Sequence, residues 1–254
     1  MRFLLSQPTK RSTKKRKSIP VSKKPEAETK KRSKPPSVVR IITEAIVAQE
    51  LTPRDNWFRP SMLFGCDRNN LYHYNNQSPD PPMMGIRLHL VCENGDHVHQ
   101  IVQHYLGEHY KVWFAHESRV RLRILGGQIK GSCDGVLVLR KSGYRWGIEI
   151  KSINHDEFMM LAKPKRDHVE QAMVYGYIQN LDWMTILYWD KDKQFLKEFH
   201  VKVRKKRARA KLEARMQHLM GYVKSDTLPP FKKSTCNRTF CRYVRQCKRD
   251  GGDP

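Results

Sequence analysis

No run of about 18 consecutive apolar residues occurs in the 254-residue sequence, so no segment is suited to crossing a bilayer as a helix. The apolar stretch at the N-terminus, Phe3 to Leu5, is too short for the hydrophobic part of a secretory signal. A cytoplasmic, non-secreted protein is therefore expected. Without an export signal, disulfides are not expected for Cys66, Cys92, Cys133, Cys236, Cys241 and Cys247, which leaves free thiols or metal ligands. No internal repeat is visible. Acidic residues are scarce: 25 Asp and Glu stand against 49 Lys and Arg, a formal net charge of +24. Such an imbalance costs a folded protein self-repulsion and points to a polyanionic partner. Nucleic acid fits best, because Lys and Arg that neutralise phosphates release condensed counterions. A membrane surface is the weaker reading.

The charge is spread over two regions. Residues 1–40 hold 14 Lys and Arg against Glu26 and Glu28, and the remainder is basic as well. Residues 1–37, rich in Lys, Arg, Ser and Pro, read as a disordered tail. It is either a DNA tether, an import-like basic run or a solvated extension. Order is expected over 38–254, as one domain ending in a cysteine-containing segment.

Within that region Val38 to Leu51 has helical spacing, and Thr52-Pro53 would stop it. Two loops follow. Gly85 to Leu106 again has helical spacing. From about Val120 the period is that of strands: Arg121 to Ile124, Gln128 to Ser132, Val136 to Leu139, and Tyr144 to Ile150, with turns at Gly126-Gly127 and at Lys141 to Gly143. A helix over Asp167 to Gln179, a buried strand at Thr185 to Trp189, an edge strand at Phe195 to Val203 and a basic helix over Lys205 to Tyr222 complete the pattern. The expected class is α/β, with a central mixed sheet flanked by helices.

The chemistry centres on Asp134 and on Glu149-Ile150-Lys151. Glu149 and Lys151 are two apart on one strand and share a face. A hairpin would bring Asp134 beside Glu149. Two converging carboxylates form a hard, oxygen-rich site suited to Mg²⁺ or Mn²⁺. The bland alternative is a Glu-x-Lys pair on a solvated strand.

Taken in order, Gly131, Ser132, Cys133, Asp134, Gly135 and then Glu149, Ile150, Lys151 resemble the motif of the PD-(D/E)XK nuclease superfamily. The form is the one without proline, Cys133 standing before the aspartate. Two more motifs resemble its RecB-like branch: Gly95 to His99, with His97 as the alternative histidine, and Gln171 with Tyr175, one helical turn apart. The resemblance implies a restriction-endonuclease-like core and hydrolysis of DNA phosphodiesters. It implies that His99, Asp134, Glu149 and the Ile150 carbonyl hold Mg²⁺ or Mn²⁺, and that Lys151 supports the attacking water. Gln171 and Tyr175 would shape the site and contact DNA. End-processing exonuclease activity in recombination, repair or replication is common in that branch. It would make proteins of those processes partners, and a phage-encoded enzyme in the host cytoplasm would fit the style.

Cys66 before the core and Cys236, Cys241 and Cys247 after it resemble the 4Fe–4S ligands of AddB-type and CRISPR-associated nucleases. Here four residues separate Cys236 from Cys241 where those families usually have two, so zinc or plain thiols remain open. Cys92 and Cys133 are expected in the core. Lys163, Lys165, Arg166 and His168 could grip phosphates near the site. So could the helix bearing Arg204, Lys205, Lys206, Arg207, Arg209, Lys211 and Arg215. Trp57, Phe58, Tyr72 and Tyr74 either stack on bases or pack a core. Two other classes compete: a non-catalytic nucleic-acid-binding protein on a degenerate nuclease fold, and a zinc-stabilised packaging protein.

Overall fold

The computed structural model describes residues 37–47, 56–77 and 86–254. Residues 1–36 of the basic tail, the end of the first expected helix with its Thr52-Pro53 stop, residues 78–82 of the second loop and Gly85 at the start of the next expected helix lie outside them. Three helices come first: α1 (Val38–Val47), α2 (Asp67–Tyr74) and α3 (Ile86–Glu108). Then follow β1 (Val112–Ile124), β2 (Gly127–Leu139), β3 (Arg145–Ile153), α4 (His155–Met159), α5 (Arg166–Ile178), β4 (Trp183–Asp190), β5 (Leu196–Lys202), α6 (Lys205–Ser225) and α7 (Val244–Arg249).

The five strands form one sheet in the order β1-β2-β3-β4-β5. β1 pairs antiparallel with β2, β2 with β3 and β4 with β5, whereas β3 and β4 run parallel. A parallel pair cannot be joined by a tight turn, so the chain crosses over through α4 and α5. That crossover sets α5 against one face of the sheet. Ala172 and Tyr175 of α5 pack there on Cys133, Val136, Met184 and Ile186. α3 covers the other face, with Val98 and Val102 against Val112, Leu137, Ile148 and Ile150. β4 reads as an almost unbroken apolar run because it lies between two strands under a helix.

β2 is long and has two partners in succession. It pairs with β3 only over Gly135–Val138, opposite Arg145–Ile148. Its first half leaves the sheet with β1 as a long hairpin arm. That arm packs Ile129, with Leu122 and Ile124 against it, on Leu63 and Leu71 around α2 and on Leu212, Met216 and Leu219 of α6. The C-terminal segment is fastened by Tyr243 and Cys247 packing on Tyr72.

The mixed sheet between helices is as expected. Several details differ. β1 begins at Val112, eight residues before the expected start, because His116 to Arg119 carry no apolar alternation to mark a strand. Gln128–Ser132 and Val136–Leu139 are one strand, with Asp134 inside it. α2 occupies a stretch expected as loop; its Asn70 amide donates to the Met62 and Cys66 carbonyls, a local tie with no apolar periodicity. Cys92 is exposed rather than in the core, since the buried stripe of α3 runs through Val98 and Val102. Phe58, Tyr72 and Tyr74 are core residues.

Asp190 ends β4 as a fully buried carboxylate. It hydrogen-bonds the His155 ring at 2.6 Å and accepts the backbone N–H groups of Asp192 and Lys193 at 2.9 and 3.1 Å. Burial works to raise its pKa, but the hydrogen bonds outweigh burial and hold it below the ordinary value. A depressed folded pKa gives stability that is fully present above the unfolded value of about 3.9 and is lost as pH falls through the folded pKa. The melting temperature of Asp190→Asn should therefore lie below wild type at neutral pH, and the gap should narrow below about pH 4. A gap that stays constant on acidification would show that the carboxylate charge contributes nothing.

Candidate active site

The point where β2 leaves β3 creates the site. Past Ile148, the edge of β3 facing β2 has lost its ladder partner, and its backbone groups need new ones. Asp134 supplies one. Its Oδ2 accepts the Ile150 N–H at 2.6 Å, which locks the carboxylate into the gap between the diverging strands. The Asp134 carbonyl accepts from the Gln103 amide of α3 at 3.0 Å. His99, on the same helix, places Nδ1 3.4 Å from Asp134 Oδ1 and also bonds the main chain of Ile150. His97 points elsewhere, bonding Gln100 on the exposed side of α3.

Glu149 and Lys151 face α5. Lys151 Nζ donates to Glu149 Oε1 at 2.6 Å and to Gln171 Oε1 at 3.1 Å. Gln171 also bonds the hydroxyl of Tyr175, one turn further along the helix. Glu149 is 1% exposed, and its second oxygen, Oε2, is buried with no hydrogen-bond partner among the described residues. Leaving a carboxylate oxygen so is costly unless a cation satisfies it.

The electrostatics join these groups into one site. Burial raises the Glu149 pKa and outweighs the Lys151 ammonium, and the nearby Asp134 adds to the rise. Burial also raises Asp134, against the Ile150 N–H and Lys151. His99 is lowered, first by burial and then by Lys151. Burial would lower Lys151 as well, but Glu149 and Asp134 overcome it and keep the amine charged. Two buried carboxylates with raised pKa values beside an imidazole with a lowered one make a site where a bound positive charge would be favoured. Among the described residues no three or more His, Cys, Asp and Glu side chains are arranged as a ready metal cage. The donor set still fits a hard cation: two carboxylates, an imidazole and a peptide carbonyl, with one oxygen unpartnered.

Glu117 was not anticipated. It lies where the β1–β2 pairing is interrupted, between His116↔Gly135 and Ser118↔Cys133, with a positive φ of 47°, and its charge contributes to the rise in Asp134. No apolar alternation or motif marks it in the sequence.

The expected phosphate grips are largely engaged with carboxylates. Lys165 pairs with Glu157 at 2.7 Å, and Arg166 with Glu170 at 3.0 Å. On α6, Lys205 pairs with Asp182, Arg209 with Glu213, Lys211 with Glu170 and Arg215 with Asp67. His168 bonds the Tyr188 hydroxyl at 2.8 Å.

Cys66, Cys236 and Cys241 line one cleft of about 850 Å³, together with Arg59, His73 and Asp167 from the start of α5. Cys247 is buried nearby, close enough for its charge to act on Cys236 and Cys241. All four are free thiols, and among the described residues they form no closed cluster.

No protein-family model matches this sequence, and no curated protein sequence does either. The fold does have counterparts. The chain aligns with the crystal structure of SSO0001 at a TM-score of 0.53 and 17% identity, over 83% of this chain and 94% of that one. It also aligns with an alkaline exonuclease from Laribacter hongkongensis at a TM-score of 0.49 and 14% identity, over 74% of this chain and 93% of that one. That exonuclease in complex with dAMP aligns at 0.46. At such identities the likeness concerns the fold.

Proposed function

We propose that this protein is a divalent-metal-dependent deoxyribonuclease, acting as an exonuclease on DNA ends. The observation that carries the reading is the unpartnered, buried Glu149 Oε2 beside Asp134 and His99. His99, Asp134, Glu149 and the Ile150 carbonyl would hold Mg²⁺ or Mn²⁺. Such an ion, when bound, polarises a phosphoryl oxygen and lowers the pKa of a water ligand. The chain's own groups do the rest. Lys151, kept charged and fixed by Gln171, orients the attacking water and offsets charge developing on the phosphate. Tyr175 holds Gln171 in place from the next turn. The Ile150 N–H fixes the rotamer of Asp134.

Degradation of end-labelled linear and of circular DNA, with Mg²⁺, Mn²⁺ or EDTA, tests the reading. Metal-dependent loss of linear DNA only is expected, with none for Asp134→Ala or Lys151→Ala while DNA binding persists. No cleavage by wild type on any substrate would leave a nucleic-acid-binding protein on a nuclease-like fold.

The four thiols belong to the same proposal as a 4Fe–4S centre, with zinc as the alternative, fastening the C-terminal segment to α2. Protein purified without oxygen should be brown and contain iron. A colourless preparation with stoichiometric zinc selects the alternative, and one without either metal removes the centre.

A further inference from the structure

We infer that the outer face of the β1–β2 hairpin arm binds the phosphate backbone of the DNA strand leading to the scissile bond. This rests on the nuclease reading for what happens at the site, though the binding itself does not.

Alternate residues along the arm have opposite fates. Val120, Leu122 and Ile124 turn towards α5 and α6, as do Ile129 and Cys133 from β2. Arg119, Arg121 and Arg123 turn the other way and are exposed. Their cross-strand partners are Ser132, Lys130 and Gln128, with no carboxylate among them. Ser132, the partner of Arg119, is two residues from Asp134, so the arginine row ends beside the candidate site. Glu117, at the break in the pairing two residues before Arg119, closes the row at that end.

One feature separates this row from the other basic stretches: none of the three arginines has an ion pair or side-chain hydrogen bond among the described residues, whereas several of the cations of α5 and α6 named above do. The Cα positions of the three arginines repeat at about 6.8 Å along the strand. That is the scale of successive phosphates on an extended strand. Arginine suits such contacts because its fork matches phosphate oxygens.

The test is a salt titration of binding to a duplex with a single-stranded overhang, in EDTA so that nothing is cut. The combined Arg119→Ala, Arg121→Ala, Arg123→Ala variant should bind at least about tenfold more weakly near physiological salt. Its log K against log salt slope should be shallower by about 2 to 3. Replacing the same three with Lys should restore the slope. Removing three charges elsewhere on the surface, at Lys141, Lys193 and Lys202, should leave it unchanged. Arg121→Gln alone, which perturbs folding least, should lower it by about 1. An unchanged slope in the arginine variants, or an equal change in the remote triple, overturns the inference. The row would then serve to keep the free edge of β1 from pairing. Turnover of a small phosphodiester by wild type with Mn²⁺ reports separately on the catalytic reading. If that fails while the binding pattern holds, only the nuclease assignment falls.

Discussion

Glu149→Gln is expected to lower metal-dependent DNA cleavage by about 10²-fold or more while leaving the metal-free fold intact. The two side chains have nearly the same shape. The glutamine carbonyl can still accept from Lys151, which replaces the 2.6 Å contact of Glu149 Oε1 with a neutral one. What disappears is the negative charge that a hard cation needs, along with the unpartnered oxygen that awaits it. The same variant has a thermodynamic readout that needs no substrate. An ion that binds only the folded state stabilises it by about 2.7 kcal/mol at a concentration 100 times its Kd. Wild-type melting temperature should climb with Mn²⁺ or Mg²⁺, and that of Glu149→Gln should stay flat. A variant that cuts DNA at the wild-type rate would place the hydrolytic centre elsewhere and would falsify the assignment of Glu149.

Arg215→Met should cost about 3 kcal/mol of stability, on the order of 10 °C in melting temperature for a domain of this size. Arg215 lies on α6 and is 15% exposed, and it reaches into the layer beneath α2. It donates to the carbonyls of Leu63 and Gly65 and to the carboxylate of Asp67, which also pairs with His218 at 3.0 Å. The methionine fills the volume of the arginine stem but leaves two carbonyls and a buried carboxylate without their donor. That loss exceeds the worth of an exposed ion pair, which is about 0 to 1 kcal/mol. The double change Arg215→Met, Asp67→Asn should recover part of the loss, because the buried carboxylate, left with only His218 and the more distant Lys232, is removed. A single-variant shift below about 2 °C would mean that the cluster is solvated in solution.

These effects trace to different levels of the molecule. Apart from the short α4, which was not expected, the order of elements from β2 to α6 was legible because their apolar residues recur with a strand or helix period, and β4 announces itself as an almost unbroken apolar run. α2 was not legible, since its residues face buried surroundings on nearly all sides and its ties are amide-to-carbonyl bonds. The first half of β1 was missed because its inward residues, Val112 and Phe114, are too short an alternation before the polar stretch His116 to Arg119. At the candidate site, the motif residues His99, Asp134, Glu149, Lys151, Gln171 and Tyr175 come together as a connected set. The basic helix α6 looked in sequence like a bare cationic face. Carboxylates distant in sequence, Asp67, Glu170 and Asp182, turn out to answer several of its charges.

The mixed α/β composition, the basic character and the identity of the acidic, imidazole and amine groups can be read from the residues in order, because periodicity and side-chain chemistry are local properties. Tertiary structure alone decided where β2 parts from β3, which leaves the Ile150 N–H for Asp134 and strands an oxygen of Glu149. It also decided which arginines keep a carboxylate partner and which stand alone on the hairpin. Both are matters of register and of contacts between residues far apart in the chain, and no local pattern encodes them.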